Sequence, residues 1–208
     1  MKPVEVSRAT IGRIPTYLKY LKTVVSDTEN ISATTIARAL GLGDVQVRKD
    51  LSTVSGAGRP RTGYNTRQLI ASLEAFLGNG VCSRVVIVGA GKLGRALLDY
   101  GGFHDYGLEI VAAFDKAVTE PRQSNSGKPI LPMTQFDAFC RECPVKIGIV
   151  TVPADAAQEA CDRLLAVGVG AIWCFAPCTL SVPEGFPVQY ENMALSLAYL
   201  NKRIGDAE

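Results

Sequence analysis

A glycine-rich turn follows the apolar run VVIV of residues 85–88, with the spacing Gly89-x-Gly91-x-x-Gly94. The pattern predicts that VVIV is a buried strand and that the next residues, KLGRALLDY, form a helix. In such a turn Gly89 permits a tight bend, Gly91 lets the backbone approach a pyrophosphate, and Gly94 allows close packing of helix on strand. The start of the helix faces the phosphate charge. We therefore predict a dinucleotide-binding turn made of Gly89, Ala90, Gly91, Lys92, Leu93 and Gly94.

An acidic residue ends the next predicted strand, LEIVAAFD, and lies 21 residues beyond Gly94. A carboxylate at this place, Asp115, can accept hydrogen bonds from the hydroxyls of a ribose. It would repel the 2′-phosphate of NADP, so the pattern favours NAD(H) as the cofactor, a preference that the neighbouring Lys116 weakens slightly. The alternative is a Rossmann fold whose nucleotide site is empty or degenerate.

No catalytic group accompanies this turn in the sequence. A dehydrogenase needs an acid or base near the nicotinamide, most often His, Tyr or Lys. The only histidine, His104, lies in the segment GGFHDYG, where a lone histidine is more often a solvated surface residue. No Tyr-x-x-x-Lys pair follows a strand in this half, and little chain remains for a substrate domain. We predict that the protein is not an enzyme; a small NAD-dependent oxidoreductase with a helical dimerisation module is the alternative.

The residues before the turn predict a helix-turn-helix. Residues 11–26 have helical apolar spacing, the segment SATTIARALGL has Ser32 as N-cap and ends at Gly41, and VQVRKDLSTV begins at Asp44 as N-cap. The apolar residues of that third helix fall on one face, which leaves its polar residues free for contact. Three helices with a short turn before the third are typical of DNA-binding proteins.

A Gly-rich loop, residues 55–64, follows the third helix and contains two arginines. It resembles the wing of a winged helix, which places arginines beside or within the minor groove. Another helix, TRQLIASLEAFL, follows with Thr66 as its predicted N-cap. The residues predicted to contact double-stranded DNA are Gln46, Arg48, Lys49, Ser52, Arg59 and Arg61. The alternatives are a solvated helix face with a flexible loop, or a scaffold that binds protein rather than DNA.

The distribution of charge agrees with two domains that have different partners. Residues 1–80 hold 11 basic and 6 acidic residues, a net charge of +5, whereas residues 81–208 hold 11 and 14, a net charge of −3. A polyanion is a plausible partner for the basic segment. After residue 80, strands alternate with helices, which predicts a doubly wound parallel sheet. We predict a winged-helix domain (1–80), a Rossmann domain (81–188) and a C-terminal dimerisation helix (189–208).

The six cysteines and the short apolar segments argue against a metal-binding protein and against a membrane or secreted protein. Cys140 and Cys143 have zinc-knuckle spacing, and Cys174 and Cys178 could supply two more thiolates, but buried or incidental thiols are the better interpretation and we predict no metal. A redox-active Cys140–Cys143 pair is the alternative. No apolar run approaches the roughly 18 residues of a membrane span, and the first 15 residues lack a secretory apolar core. We expect a cytoplasmic protein without a membrane partner.

Taken together, these motifs resemble the redox-sensing transcriptional repressors of the Rex family. The resemblance spans nearly the whole chain, and the stretches that carry it are RIPTYLKYL, QVRKDLS, VVIVGAGKLGRALLDYGGF, IVAAFD, TVPADAAQEACDRLL and FAP. It implies a winged helix joined to a Rossmann domain, and a homodimer in which the C-terminal helix of one subunit packs on the other. It also implies an operator-binding repressor that NADH releases from DNA. By resemblance, Tyr100, Thr151, Val152 and Pro153 lie near the nicotinamide.

The sequence departs from that family pattern in three places. Lys19 stands where the family commonly has an arginine, and Ala194 stands where an aspartate would pair with it. Leu195 replaces a neighbouring aromatic or bulky residue, and the wing lacks the aromatic residues of the S-Y-F-G form. The first two changes remove a charge pair suited to coupling the nucleotide to dimer closure. We therefore expect nucleotide binding to be kept more faithfully than NADH-driven release.

Overall fold

The chain divides into two compact units in a computed structural model that describes residues 6–78 and 82–205. One unit takes the chain up to Cys82 together with Asp105–Gly107, and the other takes Ser83–His104 and the chain from Leu108 onward. The predicted boundary between residues 80 and 81 lies outside the described residues, as do the predicted outer limits at residues 1 and 208.

Helices and a small antiparallel sheet make up the amino-terminal unit. In chain order its elements are α1 (Arg8–Val24), β1 (Asn30–Ile31), α2 (Ala33–Leu40), α3 (Asp44–Ser55), β2 (Tyr64–Asn65) and α4 (Thr66–Phe76). Strands β1 and β2 pair antiparallel, with Ile31 opposite Tyr64. Apolar side chains from all four helices form one core, among them Ile14, Leu21, Ile36, Leu51 and Leu73. The predicted helix-turn-helix is present, and the short strands at the base of the wing are an addition to it.

Two helix starts differ from the prediction. Ser32 caps α2, as predicted, by accepting a hydrogen bond from the Thr35 backbone N–H at 3.0 Å. The prediction of Thr66 as a cap is wrong, because Asn65 caps α4 through its side-chain oxygen and Thr66 is buried. The prediction of Asp44 is also wrong, because Gly43 is the N-cap of α3 and Asp44 is already helical. The Asp44 carboxylate instead accepts hydrogen bonds from the side chains of Thr34 and Arg48, and no side chain caps the start of α3.

A seven-stranded sheet forms the centre of the second unit. Its strands are β3 (Ser83–Val88), β4 (Leu108–Asp115), β5 (Arg122–Gln123), β6 (Pro129–Pro132), β7 (Ile147–Val150), β8 (Ala171–Cys174) and β9 (Val188–Tyr190). Its helices are α5 (Lys92–Asp99), α6 (Phe136–Glu142), α7 (Ala154–Ala166) and α8 (Met193–Gly205). The order across the sheet is β5-β6-β4-β3-β7-β8-β9, and every pair is parallel except β5 with β6. The six parallel strands follow the Rossmann order, which confirms the predicted doubly wound fold.

Both faces of the sheet are covered around the central strands. Val85 and Ile87 of β3 pack with Leu98 of α5 on one face. Val86 and Val88 pack on the other face, in the cluster that contains residues of α6 and α7. A strand buried on both faces must be apolar throughout, which is why the run VVIV shows no alternation.

Helix α8 differs from the other helices of its unit because it is apolar and exposed. Six of its large apolar side chains are 54 to 72% exposed: Met193, Leu195, Leu197, Tyr199, Leu200 and Ile204. An exposed apolar surface of this kind usually marks an interaction site. None of the helices in the described residues is long and apolar enough to span a membrane.

Candidate functional site

The glycine turn lies where β3 ends, beside the end of β7, at the point where the order of the parallel strands reverses. In open α/β sheets, ligands bind at this place. Gly89 has a φ of +107°, a conformation that favours glycine. A Cβ atom there would lie 2.8 Å from the carbonyl carbon of Thr151 and 2.9 Å from a methyl group of Val152. The first glycine is therefore required by both the bend and the close approach of β7.

Gly94 and Thr151 hold the helix against the turn. The Thr151 hydroxyl donates a hydrogen bond to the Gly89 carbonyl oxygen at 2.7 Å. A Cβ atom at Gly94 would overlap that same carbonyl oxygen and lie 2.9 Å from the Thr151 hydroxyl. The third glycine thus permits α5 to pack closely on the turn, as its spacing predicts.

Gly91 differs from the other two glycines because it faces open space. It is the N-cap of α5, and no side chain caps the helix there. A Cβ atom built at Gly91 would meet no heavy atom within 4 Å. The first backbone N–H groups of α5 therefore remain available to an anion, and the positive end of the helix dipole favours one.

Asp115 ends β4 next to this turn and is held by two backbone groups. Its Oδ2 accepts a hydrogen bond from the Ala90 N–H at 2.7 Å, and its Oδ1 accepts one from the Ala117 N–H at 2.8 Å. A carboxylate oxygen has a second lone pair, so each oxygen can still accept a hydrogen bond from a ribose hydroxyl. The neighbouring Lys116 is exposed. The geometry suits a ribose diol beside the turn.

A cleft opens beside Asp115, between the ends of β3, β4 and β7 and the first turns of α7. Its empty volume is about 630 Å³, including solvent at its mouth. The predicted residues Gly89, Gly91, Asp115, Lys116, Thr151, Val152 and Pro153 line it. Lys92 and Leu93 occupy the first turn of α5 instead. The structure therefore brings together the predicted turn, the acidic strand end and the TVP segment.

Seven residues of the cleft were missed by the sequence reasoning. They are Val88, Phe114, Met133, Ala156, Glu159, Ala160 and Arg163. Four of them follow helical spacing along α7, so a single face of that helix lines the cleft. The helical spacing of these residues is visible in the sequence. Only the order of the strands in the sheet, however, shows which face of α7 points toward Asp115. The Arg163 guanidinium donates to Asp137 at 2.8 Å and lies 5.5 Å from the centroid of the Phe136 ring.

Tyr100 lies apart from the cleft. It is the C-cap of α5, at the opposite end of that helix from the glycine turn, and is 59% exposed. Its ring packs edge-to-face on Phe103, with centroids 5.1 Å apart. Phe103 contacts Trp173, which in turn contacts Phe175, so four aromatic rings form a row on the α5 side of the sheet.

The residues predicted to bind DNA are all exposed. Gln46, Arg48, Lys49 and Ser52 project from α3, and Arg48 forms an exposed ion pair of 3.0 Å with Asp44 one turn earlier. The wing is a tight hairpin in which the backbones of Arg59 and Gly63 exchange hydrogen bonds of 2.7 and 2.9 Å. Arg61 lies at its tip with a φ of +66°, in the left-handed region. Helix and hairpin together present the cationic groups that phosphate binding needs.

A buried carboxylate lies beneath this surface. Asp50, on the inner face of α3, is 3% exposed. It accepts hydrogen bonds from Thr10 Oγ1 (2.9 Å), Tyr17 Oη (2.7 Å), and Arg13 Nε and Nη2 (2.7 and 2.9 Å). Burial opposes ionisation of Asp50, but the hydrogen bonds from Arg13, Tyr17 and Thr10 outweigh it and lower its pKa. Burial and the contact with Asp50 raise the pKa of Tyr17 to about 12. The network joins α1 to α3.

The cysteines show no metal-binding geometry. Within residues 6–78 and 82–205, no group of three or more His, Cys, Asp or Glu side chains is placed to hold a metal ion. Burial, with the nearby Asp137, raises the pKa of the Cys140 thiol to about 11. This thiol therefore stays protonated near neutral pH, which disfavours it as the reactive member of a pair with Cys143.

Known proteins match both halves of the chain. A family model described as "CoA binding domain" matches residues 82–178, and one described as "Putative DNA-binding protein N-terminus" matches residues 5–52. The redox-sensing transcriptional repressor Rex of Porphyromonas gingivalis is 40% identical over 201 residues, which cover 96% of this chain and 92% of that protein. The Rex repressor of Treponema denticola is 37% identical over 192 residues, which cover 92% and 91%. The chain belongs to the Rex family.

Solved Rex structures have the same fold. In the crystal structure of RSP in complex with β-NAD⁺ and operator DNA, the protein is 30% identical to this chain. The superposition has a TM-score of 0.78 and covers 97% of this chain and 94% of that one. RSP in complex with β-NADH is 29% identical, with a TM-score of 0.69 over 98% and 96%. These Rex relatives are named as repressors rather than enzymes, which agrees with the lack of a catalytic group in the sequence. The family departures Lys19, Ala194 and Leu195 are exposed in their units.

Proposed function

We infer that this chain is a DNA-binding transcriptional repressor whose operator affinity responds to the NADH/NAD balance. NAD(H) is its allosteric ligand, and the protein performs no chemistry on it. The inference rests on the combination of two features in one chain: the glycine turn with the geometry of a dinucleotide site, and an exposed basic helix followed by a wing. The relatives support it, because the RSP structures hold β-NAD⁺ with operator DNA in one case and β-NADH in the other.

The cleft accommodates the adenosine half of the dinucleotide. The pyrophosphate lies over Gly91, where the first N–H groups of α5 donate to it. The ribose hydroxyls donate to Asp115, and the adenine packs against the α7 face that carries Ala156 and Ala160. On the basis of family resemblance, we place the nicotinamide near Thr151 and Tyr100. The remaining proposed contacts are Gly89, Ala90, Lys92, Leu93, Gly94, Lys116, Val152 and Pro153.

Helix α3 and the wing bind the operator duplex. A helix of this kind presents side chains to base edges in the major groove, while cations hold the phosphates. We assign the base-facing side of α3 to Gln46, Arg48, Lys49 and Ser52. Arg59 and Arg61 bring the wing to the backbone or minor groove.

The protein acts as a homodimer, and α8 makes the contact between subunits. Its six exposed apolar side chains require a partner surface, and a second copy of the chain supplies one. We propose that α8 is exchanged between subunits and that residues 1–80, 81–188 and 189–208 are the DNA-binding, nucleotide-binding and dimerisation segments. Because Lys19 and Ala194 lack the charge pair of the family pattern, the release of DNA by NADH is weakened relative to nucleotide binding. A repressor acts on chromosomal operators, which places this one in the cytoplasm.

A gel-shift titration tests the function. Operator duplexes selected by the protein from a randomised library are bound at fixed protein concentration, and NAD⁺ or NADH is added. We expect NADH to reduce binding and NAD⁺ to preserve it, because only a ligand that distinguishes two states shifts their populations. Equal operator affinity with either nucleotide and without any would refute the sensing role. A library that yields no enriched duplex would refute DNA binding.

A further inference from the structure

Arg13 of α1 contacts two residues of the recognition helix α3. Its Nε and Nη2 groups donate to the Asp50 carboxylate on the inner face of α3. When the Gln46 amide is oriented with its oxygen toward α1, that oxygen accepts a hydrogen bond from Arg13 Nη1 at 3.0 Å and shares the single Nε N–H, at 2.9 Å, with Asp50. One guanidinium therefore contacts both a buried acid and an exposed amide of the same helix.

The chemistry of the guanidinium decides which end of the amide faces it. Arginine has five N–H donors and no acceptor, so an amide NH₂ turned toward it would place donor against donor. Of the two ends of the Gln46 amide, only the oxygen can accept a hydrogen bond from Arg13. Gln46 is exposed on α3, so its NH₂ group then remains for outside contacts.

Arg13 is itself held firmly. Asp50 is buried and also accepts hydrogen bonds from Tyr17 and Thr10, so the carboxylate cannot turn away from the guanidinium without losing several bonds. Removing a partner from a buried charge pair is costly, which keeps Arg13 in place. The orientation of Gln46 is therefore set by residues of α1 before any DNA arrives.

We propose that Arg13 orients the side-chain amide of Gln46 so that Gln46 contacts an operator base only as a hydrogen-bond donor. The proposal rests on the DNA-binding function above. A glutamine that reads adenine uses both ends of its amide, accepting from N6 and donating to N7. With its oxygen engaged by Arg13, Gln46 can only donate. Guanine offers the acceptors O6 and N7 and thymine offers O4, whereas adenine offers N7 beside an N6 donor that the amide NH₂ cannot accept, so guanine and thymine are favoured over adenine. Arg13 is a positioning residue and Gln46 the residue that reads the base.

A base-preference profile tests the proposal. The full-length protein and its variants are each used to select duplexes from a randomised library, and base frequencies are compared at every position. We expect wild type to prefer guanine or thymine at one position of each half-site, and Gln46→Ala to lose that preference by about tenfold, the effect of one base contact. Gln46→Glu keeps an acceptor toward Arg13 but presents an acceptor outward, so its preference should change to cytosine, which offers the N4 donor.

Arg13→Met removes the orienting group. Gln46 can then rotate, and adenine should become accepted at the same position to within about threefold of the preferred base. Because Arg13→Met also leaves Asp50 without its cation, the Gln46→Glu arm, which leaves that pair intact, carries the test if Arg13→Met unfolds. Gln68→Glu, an equal charge change at an exposed position of α4, is the matched control and should leave the profile unchanged.

Three results would overturn the proposal. The first is a wild-type preference for adenine at the position that depends on Gln46, and the second is an unchanged profile in Gln46→Ala. The third is a Gln46→Glu profile without cytosine. In all three the protein still selects duplexes, so the proposed repressor function survives; only the failure of wild type to select any duplex would refute both.

Discussion

Substitution of Gly91 should weaken nucleotide binding without lowering the stability of the fold. A side chain at this position meets no heavy atom within 4 Å, and its φ of −67° and ψ of −167° are ordinary for any residue. Both Asp and Asn are favourable N-caps, so Gly91→Asp and Gly91→Asn should leave the free energy of unfolding within about 0.5 kcal/mol of wild type, or raise it slightly. The two variants have the same size and differ in charge.

The charge determines the expected loss of nucleotide affinity. A carboxylate about 4 Å from a phosphate, at an effective dielectric constant of about 20, is repelled by about 4 kcal/mol, which corresponds to roughly a thousandfold weaker binding. Gly91→Asn suffers only the steric displacement of the pyrophosphate. We therefore expect Gly91→Asp to bind NADH far more weakly than Gly91→Asn, by at least about tenfold after screening by salt.

Isothermal titration calorimetry with NADH measures this difference, and thermal unfolding without nucleotide provides the stability control. Gly94→Ala is the contrasting variant, because its Cβ would overlap the Gly89 carbonyl oxygen inside the fold. That variant should lose about 1–3 kcal/mol of stability in addition to any loss of affinity. If Gly91→Asp and Gly91→Asn bind NADH within about threefold of each other, the pyrophosphate does not lie over Gly91 and the reasoning is wrong.

Three further predictions concern other parts of the molecule. Asp50→Asn breaks the buried pair with Arg13 and should lower the free energy of unfolding by about 3 kcal/mol in urea titrations, against less than about 1 kcal/mol for the exposed Asp44→Asn. Because folding lowers the pKa of Asp50, its contribution is present above about pH 4 and is lost as the pH falls through the folded pKa. The gap between wild type and Asp50→Asn should therefore shrink below about pH 4, and a constant gap would contradict this. Arg48→Ala should weaken operator binding and reduce its salt dependence by about one unit in gel shifts, with NADH affinity unchanged in calorimetry. Leu200→Asp on α8 should shift the protein from dimer to monomer in analytical ultracentrifugation, and a dimer of unchanged strength would exclude α8 from the interface.

The regular elements were predictable because their signals are local. The run LEIVAAFD became β4 over the predicted residues 108–115, and the glycine spacing placed the turn beside Asp115. Helix caps were less predictable, since Asn65 and Thr66 are adjacent and both can cap. The burial of Thr66 decided between them. The short strand β9 was missed because three residues, two of them exposed, carry almost no periodic signal.

The contacts that depend on distant residues could not be predicted. Asp50 lies between basic and apolar residues in the sequence, and its partner Arg13 comes 37 residues earlier, so only the packing of α1 on α3 shows that the carboxylate is buried and satisfied. The cleft presented the same difficulty. Met133 and Arg163 reach it from elements that the chain order alone does not bring next to Asp115.

The hydrogen bonds of the glycine turn constrain how a redox signal can be generated. The Thr151 hydroxyl donates to the Gly89 carbonyl oxygen, the Asp115 carboxylate accepts from the Ala90 N–H, and the Phe114 carbonyl oxygen accepts from the Gly89 N–H at 2.7 Å. In the proposed binding mode these hydrogen bonds shape the phosphate-binding turn in the same way for the oxidised and the reduced dinucleotide. A contribution common to both ligands cancels from the difference in their affinities, and only that difference can move a conformational equilibrium. Discrimination between NAD⁺ and NADH must therefore arise at the nicotinamide end, away from the glycines that hold the rest of the molecule.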